Sequence, residues 1–269
     1  MNKLLTIASL SIMCGVAVAQ ESEAPKSLWN YNKSNFEVGD INKGQWRVSD
    51  VDAKVTENGF AITKLENKRG GAVIRYVAIN KSYPYLCYKI LNSTRCKDNY
   101  FSLYTPTIRD FVAPNPVLVH KVPAGYYSVK GNIAQDKPMT SCRFDMHGGD
   151  IEFAFMGMFD KPEYILYTND NAMKIGDELV INFESLKPVV AVAVELMQAY
   201  TMPPLAINGQ SKIELVAVNP EKTKWQAKVK LENVTPHVTK KPYSPGTILL
   251  KTTINDQDIY GTNYGTIQF

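Results

Sequence analysis

Beyond residue 19 the chain alternates apolar and polar residues with a period of two and shows no 12-residue window with a clear period of 3.6, so strands are the elements it predicts. Leu179, Ile181 and Phe183 fall on one side of a run whose other side is Val180, Asn182 and Glu184. Val190, Val192, Val194 and Leu196 oppose Ala191, Ala193 and Glu195, and Trp225, Ala227, Val229 and Leu231 oppose Gln226, Lys228, Lys230 and Glu232. Each of these strands has one dry and one wetter face. With 164–168, 211–218, 247–254 and 264–269 they make about seven strands over 161–269, the arithmetic of an immunoglobulin-like sandwich. That stretch has no cysteine, so the inter-sheet cystine of such domains is absent and only the broader architecture is implied.

Upstream, short runs rich in β-branched and aromatic residues occupy 45–49, 53–56, 60–65, 72–79, 83–91, 100–104, 116–121, 125–130, 140–146 and 151–158. Turn residues punctuate them, as in Asn58-Gly59, Arg69-Gly70-Gly71 and His147-Gly148-Gly149-Asp150. About ten strands at this spacing predict a two-sheet jelly roll over 28–160. The expected fold is all-β, with two β-sandwich domains, a jelly roll and then an immunoglobulin-like one, divided near Pro162.

Residues 1–19 differ. Lys3 leads a largely apolar stretch over 4–18 that closes on Ala17-Val18-Ala19, a small-residue cleavage pattern, so a signal peptide removed before Gln20 is expected. Secretion follows from it, to the extracellular space, periplasm or cell surface. The stretch is short for a bilayer span of ~20 residues, and no later apolar run is long enough to span. Ser11-Ile12-Met13 matches a lipidation site at Cys14 poorly.

The composition, 45% hydrophobic and 21% charged, excludes a disordered or collagenous chain. The net charge of +4 becomes +3 once the leader's single lysine is removed. The basic residues are scattered, Lys240-Lys241 being the only adjacent lysines, which speaks against a nucleic-acid groove. After the leader, Cys87, Cys96 and Cys142 remain, and with His120, His147 and His237 far apart they make no zinc spacing. Two readings of these cysteines stand side by side: a disulfide Cys87–Cys96 closing a hairpin over the turn-like 91–94, or three buried thiols.

Trp29-Asn30-Tyr31, Gly44-Gln45-Trp46, 57–62 (Glu-Asn-Gly-Phe-Ala-Ile), 70–74 (Gly-Gly-Ala-Val-Ile) and 83–90 (Tyr-Pro-Tyr-Leu-Cys-Tyr-Lys-Ile) together resemble the galactose-binding-like jelly rolls found as carbohydrate-binding modules. The later half resembles the immunoglobulin-like domains that accompany such modules, with 219–225 similar to their turn into a Trp-bearing inner strand. The resemblance implies a polysaccharide or glycan partner. It also implies a structural calcium ion, for which Glu37, Asp40 and the Asp150 turn are oxygen sources without forming a dense acidic motif.

Sugar recognition on a sandwich needs aromatic faces against the pyranose ring and planar polar side chains at the rim. Alternation puts Tyr83 and Tyr85 on one strand face and Leu86, Tyr88 and Ile90 on the other. Tyr88 is thereby a core residue, while Tyr83 and Tyr85 are candidate platform residues, with an ordinary strand role as the plainer alternative. Tyr104, Arg109 and Asp110 belong to a long irregular stretch through 115 of the kind that carries binding residues. Trp46 and Trp225 sit in patterned runs and are expected in the core.

Enzymatic signals are thinner. Asp145, Asp150 and Glu152 come nearest to a pair of hydrolytic carboxylates, yet Asp150 adjoins Gly148-Gly149 and reads as a turn residue. His120, Tyr126 and Tyr127 match a lyase's needs by composition only, and no Gly-x-Ser-x-Gly occurs. Asn32, Asn80, Asn92 and Asn233 begin Asn-x-Ser/Thr triplets. The sequence thus points to a secreted, non-catalytic carbohydrate-binding protein. Behind it stand a structural or adhesive protein that binds a cell-surface protein, and then a polysaccharide-degrading enzyme.

Overall fold

The computed structural model describes residues 24–36, 46–66, 68, 71–75, 82–94, 100–104, 123–130, 141–146, 149–168, 172–198, 205–235, 248–262 and 266–268. Among these residues every regular element is a strand. The first ten are β1 (Ser27–Asn32), β2 (Trp46–Ser49), β3 (Val51–Val55), β4 (Phe60–Lys64), β5 (Gly71–Arg75), β6 (Tyr85–Ser93), β7 (Tyr100–Tyr104), β8 (Gly125–Lys130), β9 (Ser141–Met146) and β10 (Asp150–Phe159). They are followed by β11 (Tyr164–Thr168), β12 (Ala172–Lys174), β13 (Glu178–Ser185), β14 (Val192–Gln198), β15 (Ala206–Ile207), β16 (Lys212–Ala217), β17 (Lys224–Lys230), β18 (Val234–Thr235), β19 (Ile248–Ile254), β20 (Gln257–Thr262) and β21 (Thr266–Gln268). The all-β expectation holds. The strand expected at 116–121 lies outside the described residues.

The alternation read from sequence is largely the alternation of burial, except that Val180, on the expected wetter side of β13, is buried too. Leu179, Ile181 and Phe183 are completely buried in β13, and Val192, Val194 and Leu196 are buried in β14. Val190 departs from the expected pattern: β14 begins two residues after it, and it stands 90% exposed while Val189 turns inward. Trp225 is buried in β17, and its indole N–H donates to the Lys222 carbonyl at 3.0 Å. The turn before it is organised by Asn219, whose side-chain oxygen accepts from the Thr223 and Lys224 amides at 3.1 and 2.8 Å.

Pairing links these strands in the order β11-β13-β17-β16-β14-β19-β20-β8-β6-β10-β4-β3, with β1 also on β10, beside a separate sheet β2-β5-β9-β7. β16 is the corner of the long ladder. Its residues 212–215 pair with β14 and Val216 and Ala217 pair with β17, so one strand passes from one layer of a sandwich to the other. Chain on either side of Pro162 meets in the same sheet, because β20 runs parallel to β8 through Ile259↔Tyr126 and Tyr260↔Tyr127.

This shared sheet feeds two cores. Leu86, Tyr88, Ile90, Tyr127, Leu249 and Tyr260 face a first core with Phe60, Ile62 and Phe153. Their neighbours Cys87, Tyr126, Leu250 and Ile259 face a second core with Leu179, Phe183, Leu196 and Trp225. On the first face three tyrosines stack across adjacent strands: Tyr88 on Tyr127 with ring centroids 5.0 Å apart, and Tyr127 on Tyr260 at 4.9 Å. The Tyr127 hydroxyl donates to the Pro123 carbonyl at 2.8 Å. Stacks of this kind add about 0.5 to 1.5 kcal/mol each beyond area burial.

Burial first, then neighbouring Tyr88, Tyr260 and Asp258, holds the Tyr127 phenol well above its ordinary range. A phenol raised on folding contributes stability that is whole below the unfolded value of about 10 and is lost as pH rises past it. Tyr127→Phe should therefore be less stable than the native chain at pH 7 by about 1 kcal/mol, the lost hydrogen bond, and the gap should close toward pH 11 in denaturant titrations. A constant gap would place the Tyr127 hydroxyl in water. Trp225→Ala should cost about 3 to 5 kcal/mol, and an unchanged melting curve would contradict its burial.

Candidate functional site

β11 ends the long ladder; side chains of β8 and the backbone of β20 hold it in place. The Ser128 hydroxyl donates to the Tyr164 carbonyl at 2.6 Å, and the Glu163 amide donates to the Tyr126 hydroxyl oxygen at 3.1 Å. At Gly261 the backbones approach so closely that a Cβ would lie 1.8 Å from the Leu166 carbonyl oxygen, so no side chain fits there. Tyr164 packs edge-on to Tyr126 and stacks toward Phe183, sealing the inner side.

The outer side of β11, β13, β17 and β16 carries two cross-strand rows. Tyr167 pairs with Asn182, Asn182 with Gln226, and Gln226 with Val216. The next row runs Ile165, Glu184 and Lys224, and reaches Val218, whose amide donates to the Lys224 carbonyl at 2.9 Å. The polar members hold one another. The Gln226 amide donates to Asn182 Oδ1 at 2.9 Å, the Tyr167 hydroxyl donates to Glu184 Oε1 at 2.8 Å, and Lys224 Nζ lies 3.7 Å from Glu184 Oε2. Burial raises the Tyr167 phenol, and the hydrogen bond and charge of Glu184 raise it further. Tyr85 comes close to the same carboxylate and is raised by burial first and Glu184 second. Both tyrosines stay neutral donors at ordinary pH.

The sequence candidates fare unequally. Tyr85 packs on the second core and is half-buried, within range of the Glu184 charge. Tyr83 does not share its side, which corrects the expected parity: β6 begins at Tyr85, so the alternation does not extend back through Pro84, and Tyr83 packs against the first core while Tyr85 packs against the second. Tyr88 is in the core as expected. Tyr104 ends β7, its side chain lies outside the described residues, and Arg109, Asp110, Glu37, Asp40, His120 and the Trp46 side chain lie outside them too. Glu152 is engaged by Thr56, whose hydroxyl donates to its Oε1 at 2.5 Å, and the Asp150 amide is held by Thr94 Oγ1 at 2.7 Å. Among the described residues no three His, Cys, Asp or Glu side chains cluster as a metal site.

The hairpin turn expected at 91–94 does not form. β6 runs straight on to Ser93 through the expected turn, and β7 pairs with β9 in the other sheet, so no β6–β7 hairpin exists to be closed. Cys87 is a buried free thiol beside the Tyr126 hydroxyl, pushed up to about 12 mainly by burial; Cys96 and the side chain of Cys142 lie outside the described residues.

No family model matches the sequence, and none of the curated proteins is similar to it. Among solved structures it is similar to the glycoside hydrolase domain of Endo-D from Streptococcus pneumoniae, with 10% identity, 83% of this chain and 37% of that one covered, and a TM-score of 0.28. A polysaccharide lyase shows 9% identity over 81% of this chain and 33% of its own, at a TM-score of 0.27. The beta-glucuronidase of Faecalibacterium prausnitzii shows 7% identity over 72% and 36%, at 0.22. The chain spans about a third of the length of each of these structures.

A buried thiol raised this far is unreactive at neutral pH. Peptide mapping after iodoacetamide at pH 8 should find Cys87 unlabelled in the native chain and labelled after denaturation without reductant. Labelling that requires prior reduction would restore a disulfide at Cys87.

Proposed function

We propose that the protein is a secreted, non-catalytic glycan-binding protein, and that glycan lies on the outer face of β11, β13, β17 and β16. The observation that carries this reading is the row Tyr167–Asn182–Gln226: a half-buried aromatic residue next to two planar amides already hydrogen-bonded to each other. Aromatic side chains offer a flat apolar surface with a polar tip. The paired amides leave the Asn182 nitrogen as donor and the Gln226 oxygen as acceptor for sugar hydroxyls. Recognition of this kind needs no proton transfer, and it asks of Tyr167 its ring face, because the single hydroxyl proton is already held by Glu184. In this reading the first half is a jelly roll and the second an immunoglobulin-like domain whose wet face does the binding.

A second reading, an adhesive surface protein with a protein partner, draws on three exposed valines: Val190 at 90%, Val216 at 71% and Val218 at 58%. Exposed apolar surface gathered in one place marks interaction sites.

Glycan arrays and polysaccharide-retardation gels, with mass spectrometry of the same samples, separate these readings. Retention without new products is expected. Tyr167→Ala should weaken it by about 1 to 2 kcal/mol in a protein that circular dichroism still finds folded. Cleaved products would replace binding with catalysis, and silence on every glycan would favour the protein partner.

A further inference from the structure

The two rows are apolar at both ends and polar between. At one end stand half-buried Tyr167 and buried Ile165; at the other stand Val216 and Val218, 71% and 58% exposed. Between them lie the Asn182–Gln226 amide pair and the Glu184–Lys224 ion pair. Four strands separated by three spacings of about 4.8 Å place the ends about 14 Å apart, the reach of about three pyranose units. The charges within the rows are one carboxylate and one ammonium, directly opposite each other across β13 and β17. They cancel within the two rows, and Lys228, the next outward residue of β17, lies beyond them opposite Val180.

We propose that this face takes an internal stretch of about three units of a neutral, extended polysaccharide lying across the strands, with its outer units on Tyr167 and on Val216 and its middle unit on the amide pair. The proposal rests on the glycan-binding reading and adds to it the length, charge class and direction of the ligand. Valines stand on the solvent side of β16 where alternation ordinarily places polar residues, and a sugar's C–H face at that position accounts for them.

The test is calorimetric titration of the full chain with cello-, xylo-, manno- and laminari-oligosaccharides of one to six units, and with oligogalacturonates as the charged counterpart. Affinity for one neutral series should climb to about three units and then level. Val216→Ser, a change at an exposed site, should lower three-unit affinity severalfold and one-unit affinity much less, while Tyr167→Ala lowers both. Full affinity at one unit, a preference for oligogalacturonate, or a Val216→Ser protein equal to the native one at three units would each overturn the proposal while leaving glycan binding intact. Absence of binding to every series would overturn the glycan reading itself.

Discussion

Strands β6, β8 and β20 are covered on both faces, and the rest of the structure depends on that double burial. Successive residues satisfy one or the other of two cores, Leu86, Tyr88 and Ile90 one and Cys87 the other, Tyr127 one and Tyr126 the other, Tyr260 one and Ile259 the other, while Lys89 bonds Gln257 of β20. A one-residue slip exchanges every side chain between faces, and here neither face is solvent that would tolerate the exchange. The adjacent tyrosines of β8 show how narrow the solution is. Tyr127 delivers its hydroxyl to the Pro123 carbonyl on one side, and Tyr126 finds the Cys87 sulfur and the Glu163 amide on the other. Swapped, both hydroxyls would lose these partners inside apolar surroundings, a loss of about 1 to 3 kcal/mol for each group left unsatisfied.

Placement of the outer face follows from the same strands. β8 fixes the start of β11 through Ser128 and Tyr126, and β20 approaches its backbone at Gly261. β11 then sets the first member of each row, and β13, β17 and β16 supply the others by register. The chemistry exposed on the second half is thus positioned by residues of the first, β8 and β6 among them.

Much of the strand content is legible in the sequence because β-branched and aromatic alternation is a local property. β7, β8 and β11 lie where the pattern puts them, and β13 and β17 bury the faces it selects. β20 escapes such a reading for local reasons as well. Its turn is Asn255-Asp256, both at positive φ (50° and 61°), a hairpin geometry more readily read when glycine is present. Gln257, Asp258 and Gly261 then dilute the apolar signal. The double burial of β6 was written in its nearly unbroken apolar run from Tyr85 to Ile90, the mark of a strand covered on both faces. Alternation instead suggested one core face and one platform face. The binding candidates show the same limit: Asn182 and Gln226 sit at wet positions in the pattern, but only cross-strand register reveals that they touch, and Tyr167 drew no notice in a short strand whose neighbours were unknown.

The polar rows show why register also matters for chemistry. A side chain that must be ordered on binding loses rotamer freedom, about 0.5 to 1.5 kcal/mol for a flexible one. Here Tyr167, Glu184 and Lys224 already restrain one another, as do Asn182 and Gln226. These partners come from three strands, so their alignment holds only while β11, β13 and β17 keep their spacing and twist. That spacing is set from beneath, where Leu166, Phe183 and Trp225 form the buried row under the exposed one. The order of the solvent face is therefore a consequence of core packing: a cavity opened under Phe183 would loosen the Asn182–Gln226 pair without touching either amide.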